Sequence, residues 1–172
     1  MTKLLVIGLD GATLDLIEPW AKQGLLPNLA RVMEAGAYGR LQSVLPVLSS
    51  AAWASFMTGV NPGKHGLYDF VKRAPGSYQL RPVNRANLST PTLWSLLSQA
   101  GKKISVLNVP MTYPPESVNG VMVSGLGTPD YKTFTYPEEL SKVLIDKGYM
   151  VNRRVPFRTG NEVNYIKETS LL

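Results

Sequence analysis

The stretch PTLWSLLSQAGKKISVLNVP, residues 91–110, decides the fold. Its first half, TLWSLLSQAG, carries an apolar stripe at helical spacing. Ser89 or Thr90 is placed to cap that helix, Pro91 to open it and Gly101 to end it. Its second half, KKISVLNVP, is a short β-branched run of strand length. A second run of that kind, GVMVSGLG, follows at 120–127. TYPEELSKVLIDKG (135–148) then reads as a helix, with Pro137 and two glutamates in its first turn and Lys147-Gly148 at its end. Helix, strand, strand and helix over 91–148 predict an α/β domain with a mostly parallel sheet.

Towards the N-terminus the same alternation is expected. KLLVIGL (3–9) is a continuous apolar run of the kind buried on both faces of a parallel sheet, and it ends at Asp10-Gly11. The helical spacing of LDLIEPWAKQGLLPNLARVMEAGA is expected to be broken into short pieces by Pro19 and Pro27, with one helix from about Asn28 to Ala35 and Gly36 at its end. YGRLQSVL (38–45) has strand character and Pro46 closes it. SSAAWASFMTG predicts a helix with a serine near its N-cap and Gly59 beyond its C-terminus. Residues 61–90 are rich in Gly, Pro and Asn and form an excursion, with SYQLRPV a candidate edge strand. NEVNYIKETSLL (161–172) resembles the start of a helix that stops mid-pattern, so the chain is expected to be the N-terminal part of something longer.

The chain has 172 residues, of which 44% are hydrophobic and 17% charged, enough for one globular core. The charged share is below that of an average domain, so polar work is concentrated at few places. A net charge of +6 favours anionic ligands such as phosphates. The densest basic patches are KRAPGSYQLRPVNR (72–85) and NRRVPFR (152–158). No basic helix or aromatic RNA-binding pattern accompanies them, so nucleic acid is not expected as a partner. Cysteine is absent, which excludes a disulfide framework and a thiolate metal site. The first ten residues do not form a signal peptide and no apolar run is long enough to span a membrane, so no membrane partner and a cytoplasmic location are expected.

Ligands of open parallel sheets gather at the carboxyl ends of strands. Asp10, in GLDGAT, stands at such an end, where its carboxylate either binds a metal cation or caps a turn. Ser49 and Ser50 repeat the arrangement, a strand, a proline and then hydroxyls at a helix N-terminus. That position suits a phosphate and favours ionising a hydroxyl, while an ordinary capping role explains a serine there as well. His65 is the sole imidazole, and its NPGKHG setting reads as a turn. No G-x-S-x-G, GxGxxG or Walker lysine pattern is present.

Three ordered blocks carry a resemblance: GLDGAT (8–13), PVLSSAAWASFMTGVNPGKHGLYDF (46–70) and PTLWSLLSQAGKKISVLNVPMTYPPESVNGVMVSGLGTP (91–129). Together they resemble the type I phosphodiesterase and nucleotide pyrophosphatase family of the alkaline phosphatase superfamily. The resemblance implies a doubly wound α/β fold, a mostly parallel sheet with helices on both faces, of which residues 1–150 are the N-terminal portion and 151–172 the start of a further segment. It also implies two divalent metal ions, zinc in the family, and hydrolysis of phosphate mono- or diesters or nucleotide phosphoanhydrides. Asp10 matches a zinc ligand, and Ser49, counted back from Thr58-Gly59, matches the family's nucleophile, bound to the same zinc. Asn108, Tyr113 and Lys64 are expected to contact a small phosphate-ester substrate, with Arg81 a further phosphate candidate. Phe70 stands where nucleotide pyrophosphatases often have a phosphate-binding asparagine. The later metal ligands of the family, including a D-H motif, have no counterpart in a chain with a single histidine. The alternative expectations are therefore a binding or structural remnant of the fold, or a related phosphotransferase or mutase. A homo-oligomer is expected if apolar sheet surface is left uncovered.

Overall fold

The computed structural model describes residues 3–129, 133–151, 160 and 162–163. The expected helical start at 161–172 and the basic patch at 152–158 thus lie outside the described residues, except for Glu162 and Val163. The chain divides into two compact units, residues 1–43 and 44–172. No helix among the described residues is long and apolar enough to cross a membrane.

The first unit holds two helices, α1 (Leu14–Lys22) and α2 (Pro27–Ala35). Thr13 caps α1 by accepting a hydrogen bond from the Asp15 N–H at 3.3 Å, and Asp15 and Lys22 sit at the helix ends that the dipole favours. Pro19 lies inside α1 and does not break it, contrary to expectation. A proline removes one N–H donor, and here the helix continues for three residues beyond it. Pro27 opens α2 and Gly36 caps it, as expected. Residues 3–9 and 38–45, both expected as strands, carry no strand pairing among the described residues. An apolar strand is stable only with a ladder partner for its backbone groups. Leu5 is 81% exposed and Leu41 97% exposed, and no residue of α1 or α2 is buried. Arg40 holds the Asp15 carboxyl below the usual carboxylate range, but both groups face water, so the pair contributes little stability.

The second unit carries the core. Its helices are α3 (Ser49–Thr58), α4 (Pro62–His65), α5 (Leu93–Gln99) and α6 (Glu139–Asp146). β1 (Val71–Arg73) and β2 (Leu80–Pro82) form an antiparallel hairpin, which realises the expected edge strand within the excursion. β3 (Ile104–Val109), β4 (Gly120–Ser124) and β5 (Thr135–Tyr136) form a three-stranded sheet in that order. β3 and β4 are parallel, whereas β5 runs antiparallel to β4. Residues 135–136, expected as helix, therefore add a strand, and the helix starts at Glu139. The chain is α/β, with a parallel pair at the centre of its sequence pattern. Ala54, Met57, Leu67, Trp94, Val106 and Met122 pack into one cluster joining α3, α5 and the sheet. The cap of α5 is Thr92, two or three residues beyond the serine and threonine expected, with Ser95 returning the hydrogen bond to the Thr92 N–H.

Candidate functional site

α3 begins at Ser49 because Leu48, in extended conformation, turns the chain into the helix. Leu48 is the N-cap and supplies no side-chain hydrogen bond; Ser49 and Ser50 are the first and second helical residues, so a serine stands next to the N-cap, as expected, without being the cap itself. Ser49 is half-buried, and Ser50 is fully buried with its Oγ bonded to nothing. At its other end α3 stops at Gly59, whose left-handed conformation (φ 68°) is unstrained only without a side chain.

The NPGKHG segment is a single helical turn rather than a loop. Asn61 caps it by accepting from the Lys64 N–H at 3.2 Å. His65 at its end is completely buried. Its Nδ1 accepts from the Leu67 N–H at 3.1 Å, so the proton sits on Nε2, which lies 2.9 Å from Ser55 Oγ. Burial pushes the imidazole pKa down, against the opposing effect of a hydrogen bond to the Ala51 carbonyl. Nε2 thus fastens α4 to α3 through Ser55, while Nδ1 closes the turn that follows α4 through Leu67, in keeping with the turn role expected of this residue. Lys64, beside it, is exposed.

Asn108 interrupts the β3–β4 register, which shifts between Leu107 and Val109. Its positive φ of 57° marks the kink, and the residue is exposed. Beyond it the strand ends are stitched together. Thr112 Oγ1 donates to the Val109 carbonyl at 2.6 Å and accepts from the Gly125 N–H at 3.1 Å. Gly125 is required here, since a Cβ would lie 2.4 Å from the Val109 oxygen. Tyr113 is half-buried on the wall of an open groove of about 660 Å³ that Tyr136 and Glu138 also line.

Glu116 escaped sequence reasoning. It is 9% exposed, and its carboxylate accepts from Trp94 Nε1 at 2.6 Å, Thr92 Oγ1 at 2.9 Å and Arg85 Nη2 at 2.5 Å. A lone glutamate in PPES has no sequence signal of that role, because its partners lie 22 to 31 residues away. The Arg85 N–H also donates to the Tyr113 carbonyl at 2.8 Å, so this network sets the loop that carries Tyr113.

Ser49, Lys64, Asn108 and Tyr113 all belong to the second unit, on α3, α4, and the kink and loop at the end of β3. Asp10 belongs to the first, in the exposed turn before α1 with Gly11 at φ 70°. Thr13, not Asp10, caps that helix. The described residues do not by themselves fit a two-metal centre. No group of three or more His, Asp or Glu side chains comes together among them, and the one imidazole has both nitrogens engaged.

The family description for type I phosphodiesterase / nucleotide pyrophosphatase matches residues 4–168, nearly the whole chain. The protein belongs to that family, which makes its class a hydrolase of the phosphodiesterase/nucleotide pyrophosphatase type. No curated protein and no solved structure gives a significant match.

Proposed function

We propose that this chain carries the nucleophile-bearing part of a metal-dependent phosphohydrolase, with Ser49 as the attacking residue. The observation that supports this reading is the start of α3, where a half-buried serine stands at the first position of a ten-residue helix whose N-cap, Leu48, brings no competing side chain. The positive end of the helix dipole there favours the alkoxide of Ser49 over the hydroxyl, and favours an anionic phosphoryl group beside it. Ser49 Oγ attacks phosphorus in line with the leaving group. The new P–Oγ bond forms as the bond to the leaving oxygen breaks, the Oγ proton is lost to solvent, and water later cleaves the phosphoserine ester. Divalent ions, zinc by family resemblance, would add charge neutralisation at the phosphoryl oxygens when bound. Asp10 would contribute one carboxylate ligand.

The substrate class is a small phosphate mono- or diester or a nucleotide phosphoanhydride, met by Asn108, Tyr113 and Lys64. Residues 1–150 would form part of a doubly wound alkaline-phosphatase-like catalytic domain acting in the cytoplasm. The test is hydrolysis of p-nitrophenyl phosphate and bis-p-nitrophenyl phosphate with zinc supplied, comparing the parent, Ser49→Ala and Ser50→Ala. Turnover that a chelator and Ser49→Ala abolish, and Ser50→Ala spares, supports the assignment. Equal turnover in the parent and Ser49→Ala refutes it.

A second reading is favoured by the absence of a metal-binding cluster among the described residues. In it the chain is a binding or structural member of the fold without catalysis, and it would take up no zinc. A phosphotransferase or mutase would instead move phosphate between sugar positions rather than to water.

A further inference from the structure

The β1–β2 hairpin is built well for so short a ribbon. Ala74-Pro75-Gly76-Ser77 makes its turn, with Ser77 N–H donating to the Ala74 carbonyl at 3.1 Å and Gly76 at φ 68°. That is the pattern of proline followed by glycine expected of a type II turn. Further bonds from Ala74 N–H to Gln79 (2.8 Å) and from Val83 N–H to Phe70 (2.9 Å) lock the register at both ends.

The locked register places Lys72 directly opposite Arg81. Side chains paired in this way share a face with their Cβ atoms about 5 Å apart, and like charges so placed repel. A protein ordinarily relieves such a pair with a carboxylate, yet neither strand of the hairpin nor its turn contains one. From Phe70 to Pro115 the chain contains six Lys or Arg and no Asp or Glu. The flanking acids are committed elsewhere, Asp69 to the Phe70 N–H and Glu116 to Arg85, Thr92 and Trp94. Among the described residues neither Lys72 nor Arg81 has an ion-pair partner, and both are exposed. The neighbouring cation, Arg73, is taken up by the ring of Tyr78, over which it lies at 4.9 Å.

We propose that this hairpin is a phosphate-binding arm, in which Lys72 and Arg81 together take a phosphoryl dianion that the ribbon itself leaves them free to bind. The lysine supplies a compact ammonium and the arginine a planar two-pronged donor, and the anion removes the repulsion between them. The phosphoryl group comes either from a soluble phosphorylated molecule or from a lipid headgroup. The inference does not rest on hydrolysis at Ser49.

The experiment titrates the full chain with inorganic pyrophosphate, in the presence of a chelator and at low salt, following side-chain and backbone resonances by NMR. Binding with a Kd of about 1 mM, reporting on Lys72 and Arg81 and weakened by added salt, is expected. Lys72→Glu is the decisive variant, because it puts a carboxylate opposite Arg81 and ties the hairpin with an internal ion pair. Its thermal midpoint should not fall below the parent's, while pyrophosphate affinity drops at least about tenfold. Affinity unchanged in Lys72→Glu, or saturation without change at residues 72 and 81, overturns the proposal. Co-sedimentation with phosphatidic acid vesicles, absent with phosphatidylcholine alone and lost in Lys72→Glu, assigns the lipid source. Pyrophosphate binding without vesicle binding assigns the soluble one.

Discussion

At the scale of single residues, two fully buried polar groups of opposite kind stand on neighbouring helices, His65 on α4 and Ser50 on α3. His65 is fully satisfied, while the Ser50 hydroxyl has no partner. The folded chain keeps His65 neutral because burial penalises the imidazolium. In the unfolded chain the ring has an ordinary pKa of about 6.5. As pH falls through that value the unfolded state takes up the proton first, so the stability contributed by the neutral ring is present above it and shrinks towards the lower folded value. Urea unfolding between pH 8 and 5 should show this fall, and His65→Gln should flatten it; parallel curves for the two proteins would refute the assignment. Being the sole histidine, it also gives an unambiguous NMR signal, expected to show an unprotonated Nδ1. Ser50→Ala has the opposite expectation. It removes a buried hydroxyl that bonds to nothing and improves helix propensity, so stability should rise by up to about 1 kcal/mol. A loss of more than about 1 kcal/mol in denaturant unfolding would mean that the hydroxyl has a partner after all.

At the scale of elements, the Glu116 network fastens α5 and the Tyr113 loop to each other. Glu116→Leu strands the Trp94 N–H, the Thr92 hydroxyl and the Arg85 guanidinium, and the loss should reach roughly 3 to 5 kcal/mol. Arg85→Leu in the same chain should recover part of it, because the stranded charge goes as well, and a double-mutant cycle in urea measures that coupling. Strict additivity of the two substitutions would show that the pair is not a unit. How much of this architecture was legible in the sequence follows from where each signal lives. α2, α3, α5, β3 and β4 were legible because apolar period and terminal glycine or proline are local signals. The Thr92 cap was displaced from the expected serine and threonine because several hydroxyl residues in a row offer equal local chemistry. β5 was missed because Thr135-Tyr136 becomes a strand only through the edge that β4 offers it, which is information from elsewhere in the chain. The candidate site divides in the same way. Ser49 was legible as a helix start, and the Asn108 kink and Glu116 were not, since both exist through contacts distant in sequence.

At the scale of the whole molecule, every buried hydrophobic residue among the described ones belongs to the second unit and none to the first. Leu4, Leu5, Val6, Ile7 and Leu9 are all exposed along one continuous stretch of sequence. Such a segment has high β-propensity, no proline and a single charge at its start, which is the composition of a strand that pairs with another chain when its backbone groups are unmet. The physics that made 3–9 look like a buried strand therefore predicts self-association of the chain through this segment. In sedimentation equilibrium the weight-average mass should rise with protein concentration, and Val6→Lys should lower that rise by placing a charge where the strand would pair. High salt should leave the association intact or strengthen it, since apolar burial rather than charge drives it, and salt at the same time screens the repulsion between chains of net charge +6. A parent chain that stays monomeric over the whole concentration range would show that these five apolar side chains are covered in solution, and amide exchange protection at residues 4–9 would then report the pairing that the sequence alone led one to expect.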